Sequence, residues 1–194
     1  MATKKALVLL ADGTEEMEFT ISVDILRRAK VDVTIAGVRL KNHTFAECSR
    51  NVKIVPDVEF EHQNISWEAK DYDAVVIPGG LQGAETMKND PSVQRLVSSF
   101  YECRKIVAFI CAGTLVAKSA GVPRGHKVTS HPSVKDQLTD IYEYSEDRIV
   151  VDQNVITSRG PGTAFLFALT IVEHLVGKEA VEEMKKAMVT AQTL

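Results

Sequence analysis

Lys105-Ile106-Val107-Ala108-Phe109-Ile110-Cys111-Ala112-Gly113-Thr114-Leu115-Val116-Ala117 is the stretch that decides the fold. Branched and aromatic apolar residues run up to Cys111, as in a strand buried on both faces. Small residues follow, and a helical pattern begins. A strand, a sharp turn and a helix in that order resemble a nucleophile elbow, where a tight turn lifts the reactive atom out over a sheet. Backbone N–H groups at the helix start would favour a thiolate. The plainer alternative is a small buried hydrophobe closing a core strand.

The same alternation extends in both directions. Ala6-Leu7-Val8-Leu9-Leu10-Ala11 reads as a central strand, and a helical pattern runs from Glu15 to Ala29. Val31 to Gly37 is a second strand, and Asp73 to Ile77 is another, ending in Pro78-Gly79-Gly80. Lys41 to Asn51 is a polar loop or short hairpin, with a short strand at Val52 to Val55. Pro56 to Lys70 shows no clear period. A helix follows Pro91, a short strand covers Lys127 to Thr129, and Arg148 to Thr157 reads as a hairpin. Arg159-Gly160-Pro161-Gly162 opens a long apolar helix, and Lys178 to Thr190 is a terminal one. Strands alternating with helices predict a single-domain α/β protein over residues 1–194: a doubly wound sandwich, with helices on both faces of a mostly parallel sheet. Ligands of such folds bind beyond the C-terminal strand ends. Asp12-Gly13, Gly79-Gly80, Cys111-Ala112-Gly113, Ser130-His131 and Arg159-Gly160 all follow strand-like runs, so most of them are expected at one edge.

Composition narrows the function classes. The chain has 194 residues, 45% hydrophobic and 25% charged, with a net charge of -3. No basic field argues for nucleic acid or an anionic membrane, and no apolar run is long enough to span a bilayer. The N-terminus enters its first strand without a signal-peptide layout. Cys48, Cys103 and Cys111 are odd in number and contain no Cys-x-x-Cys pair, so neither a disulfide framework nor a zinc site is expected. A reducing cytoplasm or nucleus is the expected compartment.

Glu18 is the second chemical candidate. Asp12-Gly13-Thr14-Glu15-Glu16-Met17-Glu18 is acidic; Thr14 suits a helix cap, and Glu15 and Glu16 suit the positive end of the helix. Glu18 differs, because helical spacing puts it on one stripe with Ile21, Ser22, Ile25 and Ala29. A carboxyl on a buried stripe must be protonated or hydrogen-bonded. Desolvation raises its pKa and suits it to acid/base work, and a thiol donating to it would satisfy both groups. Gly80 and Ala112 offer backbone N–H groups for an oxyanion hole. His131, before Pro132, is placed to orient or protonate a substrate. Nothing ties Asp136 or Asp140 to its ring, so a Cys-His-acid triad is not supported. Arg50 and Arg159 are candidates for an anionic oxygen, with ordinary surface charge as the alternative for each.

Lys5 to Ala11, Glu15-Glu16-Met17-Glu18, Val23-Asp24, Cys48-Ser49-Arg50, Pro78-Gly79-Gly80, Ile110-Cys111-Ala112-Gly113, Lys127 to Pro132 and Thr157 to Thr163 together resemble the ThiJ/PfpI superfamily. Within it they are most similar to the Parkinson-disease-protein (DJ-one type) branch. The resemblance implies a flavodoxin-like sandwich and a homodimer. It implies Cys111 as nucleophile, Glu18 as its partner and His131 in the site. The Gly80 and Ala112 amides become the oxyanion hole, and Arg50 and Arg159 pocket arginines, one of them donated across the dimer. The implied activity is a glutathione-independent glyoxalase that turns methylglyoxal and related 2-oxoaldehydes into 2-hydroxy acids without metal or organic cofactor. A deglycase, and a redox sensor or chaperone using the same cysteine, are the alternatives. Ala112 stands where peptidase-type members carry histidine. Glu173-His174-Leu175 is not the His-x-Glu of glutamine amidotransferases. Val55 replaces a cysteine seen in some relatives, and the tail beyond Val181 matches poorly.

Overall fold

The computed structural model describes residues 3–60, 67–191 and 193; residues 61–66, within the stretch without a clear period, lie outside them. In chain order the elements are β1 (Lys5–Leu10), α1 (Glu16–Arg28), β2 (Asp32–Gly37), β3 (Ala46–Glu47), β4 (Lys53–Ile54), β5 (Val58–Glu59), β6 (Ala74–Ile77), α2 (Leu81–Lys88), α3 (Pro91–Glu102) and β7 (Ile106–Ile110). They continue as α4 (Thr114–Ser119), β8 (Lys127–Val128), β9 (Glu143–Tyr144), β10 (Ile149–Asp152), β11 (Val155–Ser158), α5 (Ala164–Val176) and α6 (Lys178–Ala187).

The main sheet runs β10-β11-β7-β6-β1-β2-β5. Its neighbours are parallel except β10 and β11, which form the expected hairpin. β1, β6 and β7 are buried almost throughout, because their branched side chains cover both faces. α1 packs against α5, and α2, α3 and α4 pack together with β6 and β7. Apolar side chains from both groups join one continuous core, with Phe100, Phe109 and Phe167 among the largest wholly buried residues. This is the doubly wound, flavodoxin-like α/β sandwich.

The strand order reverses direction between β1 and β6, which opens a crevice at their C-terminal ends. Register brings the site segments to it. Ile77 pairs with Phe109, so Gly79 lies level with Cys111. Ser158 pairs with Ile110, so Arg159 is level with Cys111 on the other side.

Two departures from the sequence reading have physical causes. α2 was not expected: Leu81–Lys88 is short, contains Gly83 and has no side-chain cap. It forms because Gly83, Ala84 and Met87 bury against neighbours, and a Cβ at Gly83 would lie 2.8 Å from Thr14 N. Packing here outweighs weak local preference. The Lys127–Val128 strand does not join the main sheet but pairs in parallel with β9. Its end is tied down by Thr129 N–H donating to Thr157 Oγ1 at 2.9 Å and by Thr114 Oγ1 donating to Thr129 O at 3.1 Å.

The elbow packs directly on β6. Gly113 has an ordinary helical φ of -56, but a Cβ there would lie 2.5 Å from Ile77 O and 2.7 Å from Pro78 O. Gly113→Ala should therefore cost roughly 1–3 kcal/mol of stability through overpacking alone. The measurement is a lowered urea midpoint at unchanged slope.

Candidate active site

Cys111 begins a 3-10 turn, Cys111–Gly113, with φ at +61, in the left-handed region. A side chain there costs of order 1–3 kcal/mol and persists only when its surroundings over-determine it. β7 behind it, Gly113 against β6, and α4 ahead of it do so. The turn aims the sulfur into a cleft of about 380 Å³ whose lining includes Cys111, Gly80, Ala112, Arg50 and His131. Cys111 retains 9% of its surface exposed. A larger hollow of about 450 Å³ between Tyr101, Arg104 and Asn154 lies at the other sheet end, away from these groups.

Glu18 lies in the first turn of α1, wholly buried beneath the cleft. Glu15, not Thr14, caps this helix: its Oε2 accepts from Glu18 N–H at 2.8 Å. Thr14 Oγ1 accepts from Ala11 N–H instead. Ser22 and Ile25 share the buried stripe with Glu18 as read, while Phe19, Val23 and Leu26 widen it. Glu18 Oε2 accepts from Gly79 N–H at 2.7 Å. A Cβ on Gly79 would lie 2.7 Å from that oxygen, 2.9 Å from Cys111 Sγ and 2.5 Å from Cys111 Cβ. Carboxyl and sulfur meet only because residue 79 has no side chain. Glu18 Oε1 is buried with no hydrogen-bond partner among the described residues.

The two groups titrate against each other. Burial pushes Glu18 up to about 7; hydrogen bonds from Gly79 N–H and the thiol act against this, and the Glu15 charge adds to it. Burial, followed by the Glu18 carboxylate, pushes the Cys111 thiol up to about 12, while Ala112 and Gly80 N–H groups bonding to the sulfur pull it down. The helix start therefore does not suffice for a thiolate while Glu18 is ionised, contrary to the reading from the elbow alone. Protonating Glu18 removes the opposing charge and leaves the two amides on sulfur. The buried pair thus carries one negative charge between its two ionisations. The lower of the two values seats that charge first on Glu18, with the Cys111 thiol donating to the carboxylate.

The remaining candidates divide. Gly80, with φ at +86, and Ala112 stand where the sequence reading put them. Arg50 reaches the cleft from the loop joining β3 and β4, with Nη1 donating to Ser49 O. Glu16, read as a simple helix-start charge, is buried and moors this loop: its oxygens accept from Ser49 Oγ at 2.6 Å and Arg50 N–H at 2.7 Å. Although burial opposes it, these donors hold Glu16 below the usual carboxylate range.

His131 Nδ1 accepts from Ser133 N–H at 3.2 Å and lies 2.8 Å from Ser133 Oγ. An N–H can only donate, so the neutral ring carries its proton on Nε2. Asp140 is held by Lys118, so it is not a triad acid. Within this chain the Arg159 guanidinium donates to Glu146 Oε2 at 2.7 Å and to Glu146 O at 3.1 Å, and it is absent from the cleft lining. Glu146, distant in sequence, supplies a counter-charge that no local pattern announced. Sequence reasoning also missed Gly79 as a donor and Ser133. The Pro78-Gly79-Gly80 turn was a signal for the first.

Cys48 is buried, and burial followed by the charges of Glu16, Asp12 and Glu15 pushes its thiol up to about 12, whereas Cys103 is exposed. Among the described residues, no three His, Cys, Asp or Glu side chains gather as metal ligands would. No described helix is long and apolar enough to cross a membrane.

A sequence model of the DJ-1/PfpI family matches residues 4–174. The Parkinson disease protein 7 homolog of Danio rerio is 44% identical, covering 97% of this chain and 98% of its own. The glutathione-independent glyoxalase DJ-1 of Schizosaccharomyces pombe is 37% identical, covering 95% and 97% respectively. The crystal structure of Drosophila melanogaster DJ-1beta superposes with a TM-score of 0.90 at 45% identity, covering 98% of this chain and 100% of that one.

Burying Glu18 has a thermodynamic consequence. Its folded pKa is raised above the unfolded value of 4.5 to about 7, so the folded state holds the proton more tightly. That contribution is complete at pH below 4.5 and is lost as pH rises towards about 7. Ionising the group costs up to roughly 3 kcal/mol. Glu18→Gln should raise the melting temperature at about pH 8 by roughly 5–10 °C, with the gain vanishing near about pH 5. Thermal scans at both pH values check this; an offset independent of pH contradicts it.

Proposed function

The chain belongs to the DJ-1/PfpI family, and we propose that it is a glutathione-independent glyoxalase acting on methylglyoxal and related 2-oxoaldehydes. The observation that carries the reading is the Glu18 carboxyl packed against the Cys111 sulfur beneath a small cleft. The similarity to the glutathione-independent glyoxalase DJ-1 of Schizosaccharomyces pombe supports it.

In this reading the Cys111 thiol passes its proton to the Glu18 carboxylate as the sulfur bonds to the aldehyde carbon, and Glu18 returns that proton to the new oxyanion, giving a hemithioacetal and freeing the carboxylate. The developing oxyanion lies next to the sulfur, within reach of the Gly80 and Ala112 amides that already point there. Glu18 removes the hydrogen from the former aldehyde carbon and returns a proton to the neighbouring carbon through an enediol. The product is a 2-hydroxyacyl thioester, which water hydrolyses to lactate and free thiol. His131, with its proton on Nε2, donates to the substrate's second oxygen. Arg50 attracts the forming carboxylate. Homodimerisation belongs to this proposal. A cytoplasmic or nuclear site of action is part of the same reading.

The raised Glu18 pKa favours one other use. A protonated carboxyl beside sulfur can donate to a sulfinate oxygen, so the pair also suits a peroxide sensor or redox-controlled chaperone. Deglycase activity would use the same groups on reversible adducts of the same aldehydes.

Incubation with methylglyoxal, without glutathione, should yield lactate. Cys111→Ser and Glu18→Gln should each lower kcat/KM by roughly 1,000-fold or more, and His131→Ala by roughly 10- to 100-fold. Robust turnover in both of the first two variants contradicts the mechanism. No lactate from reduced wild type, with peroxide selectively consuming Cys111, favours the sensor. The profile of kcat/KM should rise with pH through about 7, as the pair gains its charge.

A further inference from the structure

Glu18 Oε1 is one of two buried side-chain polar atoms without a partner among the described residues, the other being Thr129 Oγ1. The two carboxyl oxygens face different neighbours. Oε2 is on the Gly79 and sulfur side. Oε1 is on the side of Gly160, behind the cleft wall that His131 and Pro161 form. Beyond the adjoining residues 159 and 161, the nearest atoms to a Cβ built on Gly160 would be His131 Cδ2 at 3.5 Å and Oε1 at 4.0 Å. The carboxyl oxygen and the imidazole edge thus border a gap that a side chain at residue 160 would fill. Cδ2 is bonded to Nε2, the nitrogen that carries the proton.

A buried carboxyl oxygen left without a hydrogen bond is costly, and polar gaps of this kind hold water. From this geometry we infer that the gap between Gly160, His131 and Glu18 Oε1 seats the water that hydrolyses the thioester; the inference rests on the glyoxalase reading above. The water donates one hydrogen to Oε1 and accepts from His131 Nε2. As its oxygen bonds to the thioester carbonyl carbon, its proton passes to Glu18 Oε1. The tetrahedral oxyanion is held by the Gly80 and Ala112 amides. Its collapse breaks the carbon–sulfur bond, and the departing sulfur takes the proton back from Glu18. Atoms and charge balance without any further reactant. Gly160 is a positioning residue here, contributing only the absence of a Cβ.

Gly160→Ala tests this. Gly160 has φ at 169 and ψ at -170, extended backbone that alanine adopts, so the variant should fold with a melting temperature near that of wild type. Two readouts are combined. The first is quenched-flow reaction with methylglyoxal, followed by hydroxylamine, which traps a thioester but not a hemithioacetal. The expected result is lactate release slowed roughly tenfold or more, with trapped thioester rising towards one per site. The second is a high-resolution crystal structure of the wild type, which should show a water within hydrogen-bonding reach of Oε1, absent from Gly160→Ala. Wild-type lactate release by Gly160→Ala without thioester accumulation overturns the water site but leaves the glyoxalase reading standing. A wild-type crystal with Oε1 dry also overturns it, whether or not the variant folds. Wild type that makes no lactate overturns both.

Discussion

The structure turns on a carboxyl taken out of water and set against a sulfur. Glu18 belongs to α1 and Cys111 to the turn after β7. Burial raises the energy of charge on either group, so a single negative charge is shared between them. Such a pair can release a nucleophile and keep a proton close at hand, and no exposed acid beside an exposed thiol does both. The backbone supplies the remaining control. Gly79 N–H holds one carboxyl oxygen, and the Gly80 and Ala112 amides hold the sulfur.

Parallel strand pairing makes this meeting possible. Register between β6 and β7 sets Gly79 level with Cys111, and a residue with any side chain at 79 would occupy the space in which carboxyl and sulfur touch. Gly113 performs the same service one layer down, letting the turn lie on the carbonyls of Ile77 and Pro78. Around this rigid centre the periphery is held by polar tethers. Glu16 moors the loop bearing Arg50, Thr157 and Thr114 moor the segment leading to His131, and Ser133 fixes the imidazole tautomer.

What the sequence discloses follows from range. The period of β1, β6 and β7 and the elbow at Cys111 are local patterns, and they were legible as a doubly wound sheet. Glu18 was legible because helical spacing is also local: a carboxyl aligned with Ser22 and Ile25 has to be buried. α2 was illegible, since Leu81–Lys88 owes its helix to what it packs against. The hold of Glu146 on the Arg159 guanidinium was illegible because Glu146 belongs to the segment before β10. Glu16 and Glu18 sit two residues apart in a run of acids, and their separate duties depend on Ser49 and Gly79, which no spacing rule links to either.

The left-handed backbone at Cys111 has an implication for how this protein can change over time. A glycine there would relieve the left-handed backbone, and asparagine tolerates that backbone better than cysteine does. The sturdiest descendant of this chain is therefore an inert one. Lineages screened for heat tolerance alone would shed their sulfur first, and only a continuing demand for the chemistry keeps a thiol in so awkward a posture.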